Sequence, residues 1–150
     1  MSENTTTHTL NDLIAIARDG QAFYGEAAQK VEDAELSALF GRIAGTKAKI
    51  VAELSNAVQA AGGTPEDDGT LVGTMQKMYG TIRALLGDTQ YGYVAQLEES
   101  EDRLLHAFED TIADNDTPPA AREVAARLLP EVREAHNVMR DRKHAMQSAA

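Results

Sequence analysis

Gly62-Gly63-Thr64-Pro65-Glu66-Asp67-Asp68-Gly69 is the stretch on which the reading of the fold turns. Paired glycines stop a helix, and the proline and acidic residues that follow do not restart one at once. Upstream, Asp33 can cap a helix whose apolar stripe is Leu36, Leu39, Phe40, Ile43, Ile50, Val51, Leu54 and Val58. Before that, Leu10, Leu13, Ile14, Ala17, Tyr24, Ala28 and Val31 keep helical spacing, with Thr9 or Asn11 as the cap of a helix starting near Leu10. The turn between these two helices is short, so they pack as antiparallel neighbours.

Downstream, a shorter helical pattern over about 70–86 carries Leu71, Met75, Met78, Ile82 and Leu85, and Gly87-Asp88 interrupts it. The next helix, about 89–114, has the stripe Val94, Leu97, Leu104, Leu105, Phe108 and Ile112. Asn115-Asp116-Thr117-Pro118-Pro119 is a sharp turn with proline suited to a helix start. The last helix carries Val124, Leu128, Leu129, Val132 and Met139, and Pro130 inside it is expected to bend it. Two tight hairpins joined by one long crossover give an all-α, ferritin-like four-helix bundle, with a short extra helix in the long connection between helices two and three. Residues 1–8 read as a flexible N-terminus and 9–146 as the bundle.

Composition narrows the function classes. The chain has 150 residues and no cysteine, which excludes disulfides, thiolate metal sites and thiol catalysis. Its net charge of −10 argues against a nucleic-acid partner or an anionic membrane. No apolar run of transmembrane length and no signal-like start occur, so a cytoplasmic location is expected. No phosphate-binding glycine loop, catalytic triad or nucleophile elbow is present.

The informative residues are polar ones on apolar stripes. Lys47 lies between Ile43 and Ile50, Glu101 between Leu97 and Leu104, and His136 between Val132 and Met139. Lys47 and Glu101 are mid-helix, so they are expected to meet in one central layer, with Lys47 facing Gly20, Gln21 and Tyr24. An isolated charge there costs several kcal/mol and must be paired, hydrated or neutralised. The expected solution is a buried Lys47–Glu101 pair, with Tyr24, Gln21 or His136 completing the hydrogen bonds. A metal or redox site built from Glu26, Glu101 and His136, holding iron or manganese, is the alternative. In a third arrangement these side chains reach solvent and form no network. The carboxylates Glu98, Glu99, Glu101 and Asp102 form a cluster, three of them expected on a solvated edge. His8, His106 and His144 are expected to be exposed. A di-iron bundle needs two Glu-x-x-His pairs, and the chain contains none. No cofactor is therefore expected.

A series of short motifs carries a resemblance. Leu10-Asn11-Asp12-Leu13-Ile14 and Asp19-Gly20 are followed by Phe40 and Glu53-Leu54. Then come Gly62-Gly63-Thr64-Pro65, Gly69-Thr70-Leu71-Val72-Gly73, Glu98, Glu101-Asp102, Glu131 and His136. In that order they resemble the bacterial ferritin-like four-helix-bundle family catalogued as a domain of unknown function, over residues 9 to 142. The resemblance implies the fold and little about activity. The family pattern has an acidic-then-arginine pair where this chain has Thr46-Lys47, and glutamine at Glu131. The first departure removes a potential carboxylate ligand but keeps the positive charge. Three functional expectations follow. The first is a non-enzymatic structural or stress-associated bundle, forming a homodimer through an apolar or glycine-lined helix face. The others are a metal-binding or redox protein, and a protein-partner module that docks a helix in a groove.

Overall fold

Asp33 Oδ1 accepts the backbone N–H of Leu36 at 2.9 Å, the cap that starts the second helix as its sequence predicts. In the computed structural model, which describes residues 2–69 and 90–149, four helices follow in order. They are α1 (Ser2–Lys30), α2 (Ala34–Ala60), α3 (Gln90–Ala113) and α4 (Pro119–Ala149). The expected short helix at 70–86 lies outside the described residues. Among the described residues there is no strand, and no helix is long and apolar enough to cross a membrane. The protein is an all-α four-helix bundle.

The apolar side chains form two clusters stacked along the bundle axis. One joins Leu10–Ala17 of α1, Ile50–Val58 of α2, Leu104–Phe108 of α3 and Ala121–Val132 of α4. The other joins Phe23–Val31 of α1, Leu36–Ile43 of α2, Tyr93–Leu97 of α3 and Ala135–Met139 of α4. The order of these segments fixes every helix direction. α1 and α4 run one way and α2 and α3 the other. The chain therefore departs from α2 at one end of the bundle and enters α3 at the other.

The end of α2 is built for that departure. Gly62 takes a φ of +83°, a conformation open to glycine. The Gly63 N–H then returns to the Val58 carbonyl at 3.0 Å and the Gly62 N–H to the Gln59 carbonyl at 3.0 Å. This is a Schellman stop. The outgoing loop is bound to α1. Asn11 donates from Nδ2 to the Thr64 carbonyl at 3.0 Å and accepts the Glu66 N–H on Oδ1 at 2.8 Å. Arg18 Nε donates to the Glu66 carbonyl at 2.9 Å. Gly63 lies against the Thr7 side chain and Gly69 against the Asp19 carboxylate, so close that a Cβ at either glycine would collide.

These contacts explain one departure from expectation. α1 begins at Ser2, not near Leu10, and Thr6 is buried. The threonine run is a weak helix former, but Thr7 packs beneath the loop and tertiary contact outweighs propensity. Asn11 spends its side chain on the crossover loop rather than on a cap. At the other end, α4 starts at Pro119 and continues through Pro130. Pro130 and Ala126 are both exposed, so the Ala126 carbonyl that loses its helical donor is on the solvent side.

Candidate functional site

Between the two apolar clusters lies a polar layer. Lys47 of α2 and Glu101 of α3 occupy it, with side chains 1% and 0% exposed. Gly20 of α1 lies beside the lysine: a Cβ there would sit in ordinary contact with the Lys47 stem at 3.7 Å. Lys47 Nζ donates to Glu101 Oε2 at 2.7 Å and also contacts Oε1, though without the direction of a hydrogen bond. The ammonium lies 6.0 Å from the centroid of the Tyr24 ring, at the edge of cation–π range. Tyr24 in turn meets Phe40 edge-on, with centroids 6.1 Å apart. The Tyr24 hydroxyl is buried and leans on the Glu101 carboxylate as a donor, but its orientation does not complete a hydrogen bond.

Electrostatics in this layer are ruled by desolvation. Burial pushes the Glu101 carboxyl up and the Lys47 ammonium down, each against the pull of its partner. Burial, then the Glu101 charge, hold the Tyr24 phenol well above its usual range, so it stays a donor. The pair is thus a costly element that its own geometry offsets only in part. Removing one member is far worse than keeping both.

A second group lies on the α3–α4 face. His136 Nε2 meets Asp102 Oδ1 at 2.5 Å, and His136 Nδ1 lies 3.4 Å from Asn137 Oδ1. Glu98, one turn before Asp102, accepts from Lys143 at 3.4 Å. Glu98, Asp102 and His136 are all part-buried, and one ligand atom from each lies within 4.8 Å of the others. His136 is close enough to act on Glu101 through its charge, and Glu98 acts likewise on Tyr24.

The residues singled out by sequence are therefore distributed unevenly. Lys47, Glu101 and Tyr24 come together in the core. Gln21 is half-buried on α1 and makes no hydrogen bond to the pair among the described residues. His136 bonds Asp102 rather than the pair. Glu26 is tied to Lys30 at 2.6 Å on the surface of α1, so the structure does not gather Glu26, Glu101 and His136. His8, His106 and His144 are exposed, as expected. Glu98 and Asp102 were grouped with the solvated edge, yet they face α4. Their four-residue spacing put them on one face of α3, but only the packing of α4 shows which face. Elsewhere Lys49 pairs with Glu131 at 2.9 Å, and Asp19, buried on α1, lies 3.5 Å from Arg103.

A di-metal centre, which a ferritin-like bundle brings to mind, does not fit these residues. It needs carboxylates from all four helices and a Glu-x-x-His pair on two of them. Here an ammonium occupies the central layer, and the buried Glu101 carboxylate is engaged by it.

Glu101→Ala is expected to lower stability by about 3–5 kcal/mol, because Lys47 would be left buried without a counter-charge. Urea denaturation followed by circular dichroism measures this. A loss below about 0.5 kcal/mol, the size of an ordinary surface change, would contradict the geometry.

Comparison with known proteins returns one family. Neither the curated proteins nor the solved structures include a match to this chain. The family model of a domain of unknown function matches residues 5–114, which spans α1, α2 and α3 with the crossover between them. It includes the Asn11 and Asp19 loop contacts and both members of the buried pair. The chain belongs to this family, DUF2383.

Proposed function

We propose that this protein is a non-enzymatic, ferritin-like structural bundle whose central layer is closed by a charge pair where a di-iron protein would hold metal. The observation that carries the reading is the Lys47–Glu101 pair, fully buried between the two apolar clusters. An ammonium held at that level repels a cation from the bundle centre and occupies the volume a bridging ion would need. The two-hairpin connectivity with one long crossover supports the ferritin-like description. Anaerobic ferrous loading followed by oxygen exposure tests the proposal. The expected result is no iron oxidation above the protein-free rate. Two ferrous ions per chain, with oxidation abolished in Glu101→Gln, would contradict it.

A second reading concerns how such a bundle acts, and a specific observation favours it. Gly41 and Gly45 lie mid-helix on the exposed face of α2, and nothing stands within 4 Å of where a Cβ would be. Each costs about 1 kcal/mol relative to alanine, with no packing among the described residues to explain it. Beside them a groove of about 330 Å³ runs between α2 and α4, lined by Leu39, Ile43 and Val138 together with Arg42 and Glu134. Arg42 on the α2 side and Glu134 on the α4 side make the face charge-complementary to a copy of itself. Self-association through this face gives the homodimer. Sedimentation equilibrium is expected to show a dimer, converted to monomer by Gly41→Leu/Gly45→Leu. A wild-type monomer at about 100 μM, weaker than any specific assembly of this kind requires, would contradict it.

A further inference from the structure

Glu98, Asp102 and His136 form a mixed oxygen and nitrogen donor set held by two rigid helices. Glu98 and Asp102 are four residues apart on one face of α3, and His136 faces them from α4. They lie outside the core pair, and their surroundings differ from a solvated acidic edge in two ways. His136 is only 14% exposed and Glu98 13%, so both have already lost much of their water. Two core groups also lie near the trio, the Glu101 carboxylate held by Lys47 and the buried Tyr24 hydroxyl. Both sense the charges of the trio, Glu101 from His136 and Tyr24 from Glu98.

We infer that Glu98, Asp102 and His136 bind one first-row divalent transition cation at the edge of the polar layer. One imidazole with two carboxylates suits zinc, manganese, ferrous iron or cobalt better than calcium or copper(I). Ligand atoms within 4.8 Å of one another need only small rotamer changes to reach the bond lengths of about 2.0–2.2 Å such ions require. Lys143 is the resident counter-charge. Its Nζ, 3.4 Å from Glu98 Oε2, neutralises the face when no ion is bound and swings outward on its long stem when one binds. Asp102 Oδ1, now bonded to the His136 ring, turns to the ion together with Nε2. With three protein ligands the coordination sphere keeps open positions for water. The bound ion then staples α3 to α4.

This inference stands apart from the charge-pair reading and fails separately. The site is single, depends on His136 and Asp102, and leaves Lys47 and Glu101 paired. Cobalt(II) titration of the untagged, metal-stripped full chain, followed by visible ligand-field absorption, gives the stoichiometry. Zinc calorimetry on the same chain gives the affinity. One equivalent is expected. His136→Gln and Asp102→Asn are each expected to weaken binding at least about 100-fold, more than the loss of an outer-shell partner costs. Lys143→Gln is expected to tighten it roughly tenfold by removing the competing cation. His8→Gln, which removes the separate exposed His8–Asp12 pair, is expected to change nothing. Asp102 is 42% exposed, so its variant keeps the fold, and circular dichroism checks this for each protein. Absence of binding at 1 equivalent per chain, or binding that survives both His136→Gln and Asp102→Asn, overturns the inference. Two equivalents that require Glu101 would instead overturn the charge-pair reading.

Discussion

A lysine ammonium and a glutamate carboxylate, both removed from water, set the terms on which the rest of this bundle is arranged. The Lys47–Glu101 pair divides the apolar interior in two and fixes the height at which α2 and α3 face each other. Sliding either helix by one turn would carry a charged group into leucine and phenylalanine side chains with no partner, at a cost of several kcal/mol. Apolar layers alone tolerate many near-equivalent registers. Gly20 of α1 lies against the lysine stem and covers it. Tyr24 and Phe40 wall the layer on the side of the second cluster.

A parallel arrangement of α2 and α3 requires that the chain leave α2 in a defined direction. The Schellman stop at Gly62 and the Asn11 and Arg18 contacts supply it. Asn11 uses both ends of its amide to treat the loop as a strand-like partner. Gly69 and Asp19 then lie in close contact, near the side of α1 that meets Arg103 of α3. The loop is therefore fastened to α1, and the glycine-rich motif in the sequence has a steric reason as well as a conformational one.

Much of this was legible in the sequence because its causes are local or periodic. The stripes of α2 and α3 matched the buried positions closely, and Asp33 and Gly62-Gly63 marked the ends of α2. The buried pair could be read because each charge interrupts a stripe at the middle of its helix, where opposite helices must meet. What escaped depends on contacts between distant segments. The threonine run at the N-terminus has no helical signal of its own and is ordered by packing against Gly63. Asn11 looked like a cap because its loop partner lies more than fifty residues away. His136 was assigned to the core network because it sits on an apolar line, but the ring leans toward Asp102, and a one-dimensional pattern does not fix that rotation. The turn of Glu98 and Asp102 toward α4 was hidden for the same reason.

The family match covers the loop and layer contacts of this chain, and the functional account grows from the layer. In the reading we propose, a bundle whose centre is closed by a salt bridge acts through its surfaces and edges, by way of the α2 face and the α3–α4 donor set. Everything in that account rests on Lys47 and Glu101 acting as one unit. A double-mutant cycle with Lys47→Met, Glu101→Leu and the combined variant, read by urea denaturation, tests this most directly. Each single change is predicted to destabilise strongly and the combined variant much less than their sum, with a coupling of at least about 2 kcal/mol. Additivity within about 0.5 kcal/mol would mean that the two charges do not meet in the core.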